Sequence, residues 1–358
     1  MNNIMFLKPA YVLPIALLLL FMGCNKTEND SNESAALNKV STPPAEIIVS
    51  AETDENIANP TQISAFENGF VLYDHALKQV LVFSENGEFH NSFGSGGKGP
   101  GEFQTVSTLS YNSDQIIVSD SELLRLTAFD IDGNMLSNQE LAPSLFAMDN
   151  AILSSSQFIT PTNGREGGLA KFVDTGKQIE VVFGEPVTKT PEVADFNQWR
   201  KDFSSGKVPD FFRNQVAISG NESFFYLFLQ TEGVLAQYNH DGALNWQKSF
   251  DLPEFKDEFE RFIERNRTNT AGTVYMLQYV SEMEQHDDGV YMLLRIPNRY
   301  PPTLLFSDHT GNKIKKIQFN GMDERPSRFS ISPDKKWLWF LNVSAGIVYR
   351  APFMIPKE

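Results

Sequence analysis

The sequence predicts an all-β fold, a six-bladed β-propeller with two short insertions of helical character. Three observations lead there: a self-similar repeat, an aromatic residue that recurs in every copy, and a turn pair behind most of the copies. Val71-Leu72-Tyr73-Asp74 through Val82-Phe83-Ser84-Glu85-Asn86-Gly87 matches Ile117-Val118-Ser119-Asp120 through Ala128-Phe129-Asp130-Ile131-Asp132-Gly133 without a gap. In both copies 13 positions separate the aspartate from the glycine, and the aromatic stands four before the glycine. The aromatic recurs as Phe172, Tyr238, Phe306 and Tyr349, so the six copies are spaced by 46, 43, 66, 68 and 43 residues.

Each aromatic sits in a β-rich run, and Asn86-Gly87, Asp132-Gly133, Thr175-Gly176, Asp241-Gly242 and Thr310-Gly311 follow the first five. Such pairs supply the positive φ that tight hairpins demand. A unit near 45 residues with hairpin turns is a four-stranded blade, whereas sandwiches show no self-similar period of that length. The two long spacings therefore hold insertions, at about 185–214 and about 252–270. The first contains Asp195 to Phe203; the second places Phe255, Phe259, Phe262 and Ile263 at helical spacing.

The last repeat runs out of strands near Phe353, while Glu46-Ile47-Ile48-Val49-Ser50 is a strand without a blade. A three-stranded final blade would expose a long edge, which proteins avoid. The segment near Ile47 is thus expected to complete the sixth blade as its outermost strand. The propeller spans 45–353, followed by a tail, 354–358.

Ahead of the repeats, Lys8 precedes an apolar run from Ala10 through Met22 that stops at Gly23-Cys24. The run is too short to span a bilayer as a mature helix and reads as a signal peptide, residues 1–23. Cys24 is the only cysteine in the chain, which leaves no disulfide to hold the fold. Gly23-Cys24 resembles a lipobox, with Phe21 where Leu is usual, and this resemblance implies lipidation of Cys24. Residues 24–44, rich in Asn, Ser and Glu and ending in Pro43-Pro44, read as the lipidated cysteine and a flexible tether. The chain is accordingly expected to be exported and anchored by lipid to the outer membrane, on its periplasmic or its outer side.

Phe93-Gly94 followed by Gly97-Lys98-Gly99-Pro100-Gly101-Glu102-Phe103 resembles the blade junction of NHL-type propellers and of six-bladed propeller lipoproteins of Bacteroidota. Ser332-Pro333-Asp334-Lys335-Lys336-Trp337-Leu338 is similar to the strand opening of TolB-like propellers. The resemblance covers about Ile63 to Phe353, and it implies the fold while leaving function open.

The formal net charge of −15 spreads along the chain without a basic cluster, which argues against nucleic acid as a partner. Gly94 to Gly99 fits the letter of G-x-G-x-x-G, but Pro100-Gly101 continues the loop where a helix N-terminus would have to begin, so it reads as a structural junction. Asp130-Ile131-Asp132-Gly133-Asn134 lacks the flanking carboxylates of a calcium loop and reads as a hairpin turn. The five histidines include no pair at ligand spacing, and no G-x-S-x-G elbow is present. No cofactor is expected from these residues.

Two function classes follow. The leading one is a binding or scaffolding propeller of the cell envelope, its partner a peptide, a glycan or another envelope protein. The alternative is an NHL-like propeller enzyme, a metal-dependent lactonase, hydrolase or lyase, which would gather calcium or zinc ligands from several blades at the channel mouth.

Blade topology places the candidate ligand face. Turns between second and third strands share one face with the junctions between blades. That face would hold Asp74, His75, Asp120, Asn163, Arg165, Arg295, Asn298, Arg299 and Asn342, with Trp199 and Arg200 overhanging it from the first insertion. For Asp74 and Asp120 a second reading, bonding to their own turns, stands beside the functional one. Arg and Trp are favoured binding anchors.

The lipid anchor gives a direct test: a Cys24→Ala variant is expected to leave the membrane fraction or to retain its signal peptide. Unchanged mass and fractionation would count against the anchor.

Overall fold

The structure, a computed structural model, describes residues 37–145, 150–193, 195–269 and 273–353. Cys24, the signal segment, the first part of the tether and the 354–358 tail lie outside the described residues. The described chain forms a ring of six four-stranded antiparallel blades. Blade 1 comprises Pro60–Phe66, Gly69–Asp74, Gln79–Ser84 and Phe89–Phe93; blade 2, Val106–Asn112, Gln115–Asp120, Arg125–Phe129 and Met135–Glu140. Blade 3 comprises Ala151–Ile152, Gln157–Pro161, Ala170–Asp174 and Ile179–Phe183; blade 4, Val216–Gly220, Phe225–Leu229, Val234–Tyr238 and Leu244–Ser249. Blade 5 comprises Val280–His286, Gly289–Leu294, Thr303–Asp308 and Ile314–Gln318.

Blade 6 takes Arg328–Ile331, Trp337–Asn342 and Ile347–Pro352 from the C-terminal end of the ring, and its outermost strand is Glu46–Ser50. That strand pairs antiparallel with the third, Glu46 opposite Arg350 and Ser50 opposite Ile347. The expected closure is thus present. Arg350 fastens it, donating from Nε to Glu46 at 2.9 Å and from Nη1 to the Glu85 carbonyl of blade 1 at 2.7 Å, while its guanidinium lies 4.2 Å from the Trp337 ring centroid.

The tether needs one correction. Asn38–Ser41, inside the segment read as flexible, is a fifth strand parallel to the outer strand of blade 5, Lys39 opposite Lys316 and Val40 opposite Ile317. Its composition gave no hint because an open sheet edge pairs through backbone groups, which every sequence carries. The Ala45 N–H then donates to the Asn320 carbonyl at 2.9 Å, so the segment straps the last two blades together.

The core lies between blades, where alternate strand faces meet. Six buried apolar clusters among the described residues correspond to the six blade interfaces. The recurrent aromatics Phe83, Phe129, Phe172, Tyr238, Phe306 and Tyr349 all sit in third strands and all are buried, as expected of core anchors. In blades 1, 2 and 4 the pairing slips at the aromatic, a β-bulge that turns the strand into its hairpin. Gly87, Gly133, Gly242 and Gly311 carry φ of 70–87° in these turns. In blade 3 the left-handed residue is Gln178 (φ 56°), not Gly176.

Both insertions are helical. Helix α1 (Phe196–Ser204) starts at Asp195, whose carboxylate accepts from the Asn197 and Gln198 N–H groups at 3.0 Å; a single turn, α2 (Asp210–Arg213), follows. Helix α3 (Pro253–Thr268) has proline in its first turn and buries Phe255 and Phe262. Phe203 of α1 meets Phe262 of α3 at 5.5 Å, and both join the interface of blades 4 and 5, the largest of the clusters.

Closure predicts an asymmetric response to change at this end of the ring. Val49 is 3% exposed in the interface of blades 6 and 1, so Val49→Asp is expected to cost about 3 kcal/mol or more in chemical denaturation, because it buries an unpaired carboxylate. Val40→Asp, on the strap outside the blade, should cost about 1 kcal/mol or less. Equal losses would show that the closing strand holds the ring no more than the strap does.

Candidate functional site

The inner strands of the six blades surround a central channel of about 820 Å³. Inner strands of neighbouring blades splay apart, so their facing backbone groups find partners in side chains. Gln62 donates to the Ser107 carbonyl at 2.9 Å, and Ser64 accepts from the Tyr111 N–H at 2.8 Å, both across blades 1 and 2. Gln230 of blade 4 accepts from the N–H groups of Tyr279 and Val280 and donates to the Val280 carbonyl. Glu282 and Glu284 of blade 5 accept from the N–H groups of Phe329 and Ile331 in blade 6 at 2.7 and 3.1 Å. Ser330 closes the circuit by accepting from the Ala65 N–H of blade 1 at 2.9 Å.

These channel polars are therefore committed to architecture. Others are not: among the described channel-lining residues the side-chain amides of Asn150, 4% exposed, and of Gln285 have neither oxygen nor nitrogen bonded, and the Thr61 hydroxyl and His286 Nε2 are likewise buried without a hydrogen-bond partner. A buried amide without a partner costs about 1–3 kcal/mol, which marks positions where a polar solute would find ready partners.

Of the candidate residues, Asp74, Asp120 and Asn342 are structural. The Asp74 carboxylate accepts from the N–H groups of Ala58 and Asn59 in the preceding junction, both at 2.7 Å, and from those of Ala76 and Leu77 in its own turn, at 2.9 and 3.0 Å. Asp120 repeats this toward Gln104, Thr105, Glu122 and Leu123. In blade 6 Asn342 accepts from the Ala345 N–H and donates to the Arg325 carbonyl. All three are at least 95% buried. They clasp the turn to the junction, so the binding expectation for these three gives way to the turn-bonding one.

His75 and Arg295 do line the channel. The Lys78 ammonium lies 3.3 Å from His75 Nε2, and Arg295 donates to Gln278. Asn163 is held in the left-handed region (φ 52°), with its carbonyl accepting from Thr190; Arg165 projects from the same turn and is exposed. Asn298 is exposed in the corresponding turn of blade 5. Its neighbour Arg299 pairs with Asp257 of α3 and lies 5.2 Å from the Tyr300 ring centroid, so it fastens the helix. Trp199 is 8% exposed, packed on Phe196, Phe211 and Phe212 at 4.7–5.0 Å. It is the core of the helical insertion, although one edge lines a cleft of about 640 Å³ between α1 and α2. Arg200 is exposed on α1 and lines neither cavity.

Sequence reasoning missed the residues of α3 and of the junction before blade 6. Glu258, buried, pairs with Arg261 one turn on. Arg325 donates to the carbonyls of Pro297 and Tyr300, in the turn that carries Arg295. Burial pushes the Glu258 carboxyl above the usual range, against the opposing pull of Arg261, Arg295 and Arg265. Burial also pulls Arg325 down, helped by the Arg261 charge and opposed by Glu258. The helical spacing of 258, 261 and 265 was legible, but nothing local tied it to Arg295 or Arg325.

The Gly94 to Phe103 junction is structural, as expected. Gly94 (φ 89°) leaves room for the Phe103 ring, which a Cβ would meet at 2.2 Å, and Arg125 donates to the carbonyls of Lys98, Gly99 and Glu102. In the other predicted turn, Asp130 accepts from the N–H groups of Asp132 and Asn134. Among the described residues no group of three or more His, Cys, Asp or Glu side chains is placed to hold a metal ion.

Asp74→Ala strips the acceptor from four N–H groups and is expected to cost about 3 kcal/mol or more. His75→Ala, at the neighbouring position, should lie within about 1 kcal/mol of the unsubstituted protein. Denaturant midpoints compare the two, and a harmless Asp74→Ala would undo the clasp assignment.

Residues 47–159 match a family model, DUF5128, described as a 6-bladed beta-propeller. No curated protein matches the chain. Among solved structures the chain is similar to a Bacteroides fragilis protein described as exported, at 12% identity over 89% of this chain and 99% of that one, with a TM-score of 0.55. It is similar also to a member of the duf4221 family from Bacteroides vulgatus, at 10% identity, 88% and 97% coverage and a TM-score of 0.51. A virginiamycin B lyase from Staphylococcus aureus follows at 12% identity, 87% and 89% coverage and a TM-score of 0.44. The family model, the two Bacteroides structures and the ring of blades agree on the fold: this chain is a six-bladed β-propeller.

Proposed function

We propose that the protein is an exported binding propeller, held at the envelope membrane through Cys24, that takes a small polar ligand into its central channel. The observation that carries the reading is the pair of uncommitted amides, Asn150 and Gln285, in a channel where side chains such as Gln62 and Glu282 are spent on holding blades together. Hydroxyl- and amide-bearing solutes, glycan units and short peptides among them, match that lining. Ligands enter from the face that carries the blade junctions, since loops on a rigid scaffold are where binding residues concentrate. The apolar run ending at Gly23-Cys24 and the exported Bacteroides relative support the envelope address.

Soluble protein lacking residues 1–24, screened by thermal shift against short glycans and peptides, tests this. A ligand at about 100 times its Kd is expected to stabilise the fold by about 2.7 kcal/mol. Asn150→Leu combined with Gln285→Leu removes two unsatisfied amides, so its own unfolding temperature should hold or rise. The ligand shift should disappear in the same variant. A shift that survives the double substitution would place binding elsewhere.

A further inference from the structure

The inner strand of blade 5, Val280–His286, spends alternate side chains on the inner strand of blade 6. Glu282 accepts from the Phe329 N–H and Glu284 from the Ile331 N–H. Two residues further on each strand, the same register would set His286 against residue 333, which is a proline. Proline has no N–H to give, so the architectural duty of this row ends one step before His286. The imidazole is held all the same. Its Nε2 lies 3.1 Å from Glu284 Oε1, without the alignment of a hydrogen bond, and its ring stands edge-on to Tyr291 at 5.7 Å. A carboxylate only accepts, so in the neutral imidazole the nitrogen that faces it carries the proton and Nδ1 is left as an acceptor. Nδ1 has no partner among the described residues and is not buried, and His286 lines the channel.

The inner strands start at the junction face, so their C-terminal ends form the far end of the channel. Ser110, Ser219, Asn221 and Gln285 line it beside His286, with Lys335 from blade 6. Lys335 is spent on Asp288 at 2.6 Å. We propose that this far end is a sugar subsite, in which His286 Nδ1 accepts a hydroxyl proton from a neutral oligosaccharide lying in the channel. The inference rests on the channel reading above and adds the ligand's class and the place of its inner end. A hydroxyl donates and accepts at one oxygen, which suits an imidazole acceptor beside the Gln285 amide, whose oxygen and nitrogen are both unbonded. A peptide would bring apolar side chains to a wall built here of hydroxyls and amides.

Two pools test this on the soluble protein lacking residues 1–24: neutral trisaccharides cut from cellulose, xylan, mannan and chitin, and uncharged tripeptides blocked at both ends. Calorimetry is expected to find the ligand in the first pool. For that sugar His286→Leu should weaken binding about tenfold, the size of one hydrogen bond. His286→Asn, which keeps an acceptor near the place of Nδ1, should stay within about threefold of the unsubstituted protein. Nitrogen-15 NMR reads the contact directly: the sugar should shift the His286 Nδ1 resonance, assigned by its absence from the His286→Asn spectrum, and leave that of His90, exposed on the outer strand of blade 1, in place. Should His286→Leu fail to fold, the resonance still decides. A sugar that binds without moving Nδ1, or equally well to His286→Leu, would overturn the subsite and leave the channel reading intact. Binding from the tripeptide pool alone would do the same, and binding from neither pool would overturn both.

Discussion

Closure of the ring is the constraint on which everything else in this protein depends. A blade buries its two faces only against neighbours, so an open array of six would leave two apolar faces and a sheet edge in water. With one cysteine in the chain, no disulfide can hold the ends. The ring is closed by Glu46–Ser50 pairing with a strand some 300 positions away, and by Val49 and Ile57 joining Phe70 and Trp339 in the sixth interface. Contacts of such sequence separation form late, because loop entropy is lost before they stabilise anything. The strap at Asn38–Ser41 and the Arg350 contacts hold the ends in reach.

The same closure shapes the channel. Blades fan outward from an axis, so inner strands face one another at a distance where backbone groups cannot pair, and side chains take over. That accounts for the Gln, Ser and Glu residues that point along the inner edges, and for carboxylates such as Glu282 and Glu284 whose role is to receive N–H groups of the next blade. It also separates architecture from recognition. Polar residues spent on the next blade are scaffold, whereas the amides of Asn150 and Gln285 are not spent in this way.

The helical insertions break the ring's sixfold regularity on one side only. Their aromatic residues enlarge the interface of blades 4 and 5, with Trp199, Phe203 and Phe212 from the first and Phe255 and Phe262 from the second. Burial of this kind is worth about 1.5–3 kcal/mol per large side chain, enough to hold α3 against blades 4 and 5. The helix carries the buried Glu258–Arg261 pair, and Arg325 fastens the Pro297 to Tyr300 turn through its carbonyls.

The sequence by itself determined the repeat. Hairpin glycines, recurrent aromatics and period-2 patterning are local properties, and local geometry demands them wherever a four-stranded blade forms. Ring closure was legible too, because an unassigned strand and an incomplete blade imply each other. Roles at the face were not. Asp74 and Asp120 look alike as turn residues and as ligand contacts until the junction N–H groups that they accept from are located. Trp199 looked like a binding anchor because its partners Phe211 and Phe212 are separated from it by a turn that periodicity does not resolve. The strand at Asn38–Ser41 was hidden because edge pairing uses backbone alone. Which polar side chains remain free, and which arginines converge, was decided only by the tertiary structure: both depend on distances between blades, and those are set by packing around the axis, not by spacing along the chain.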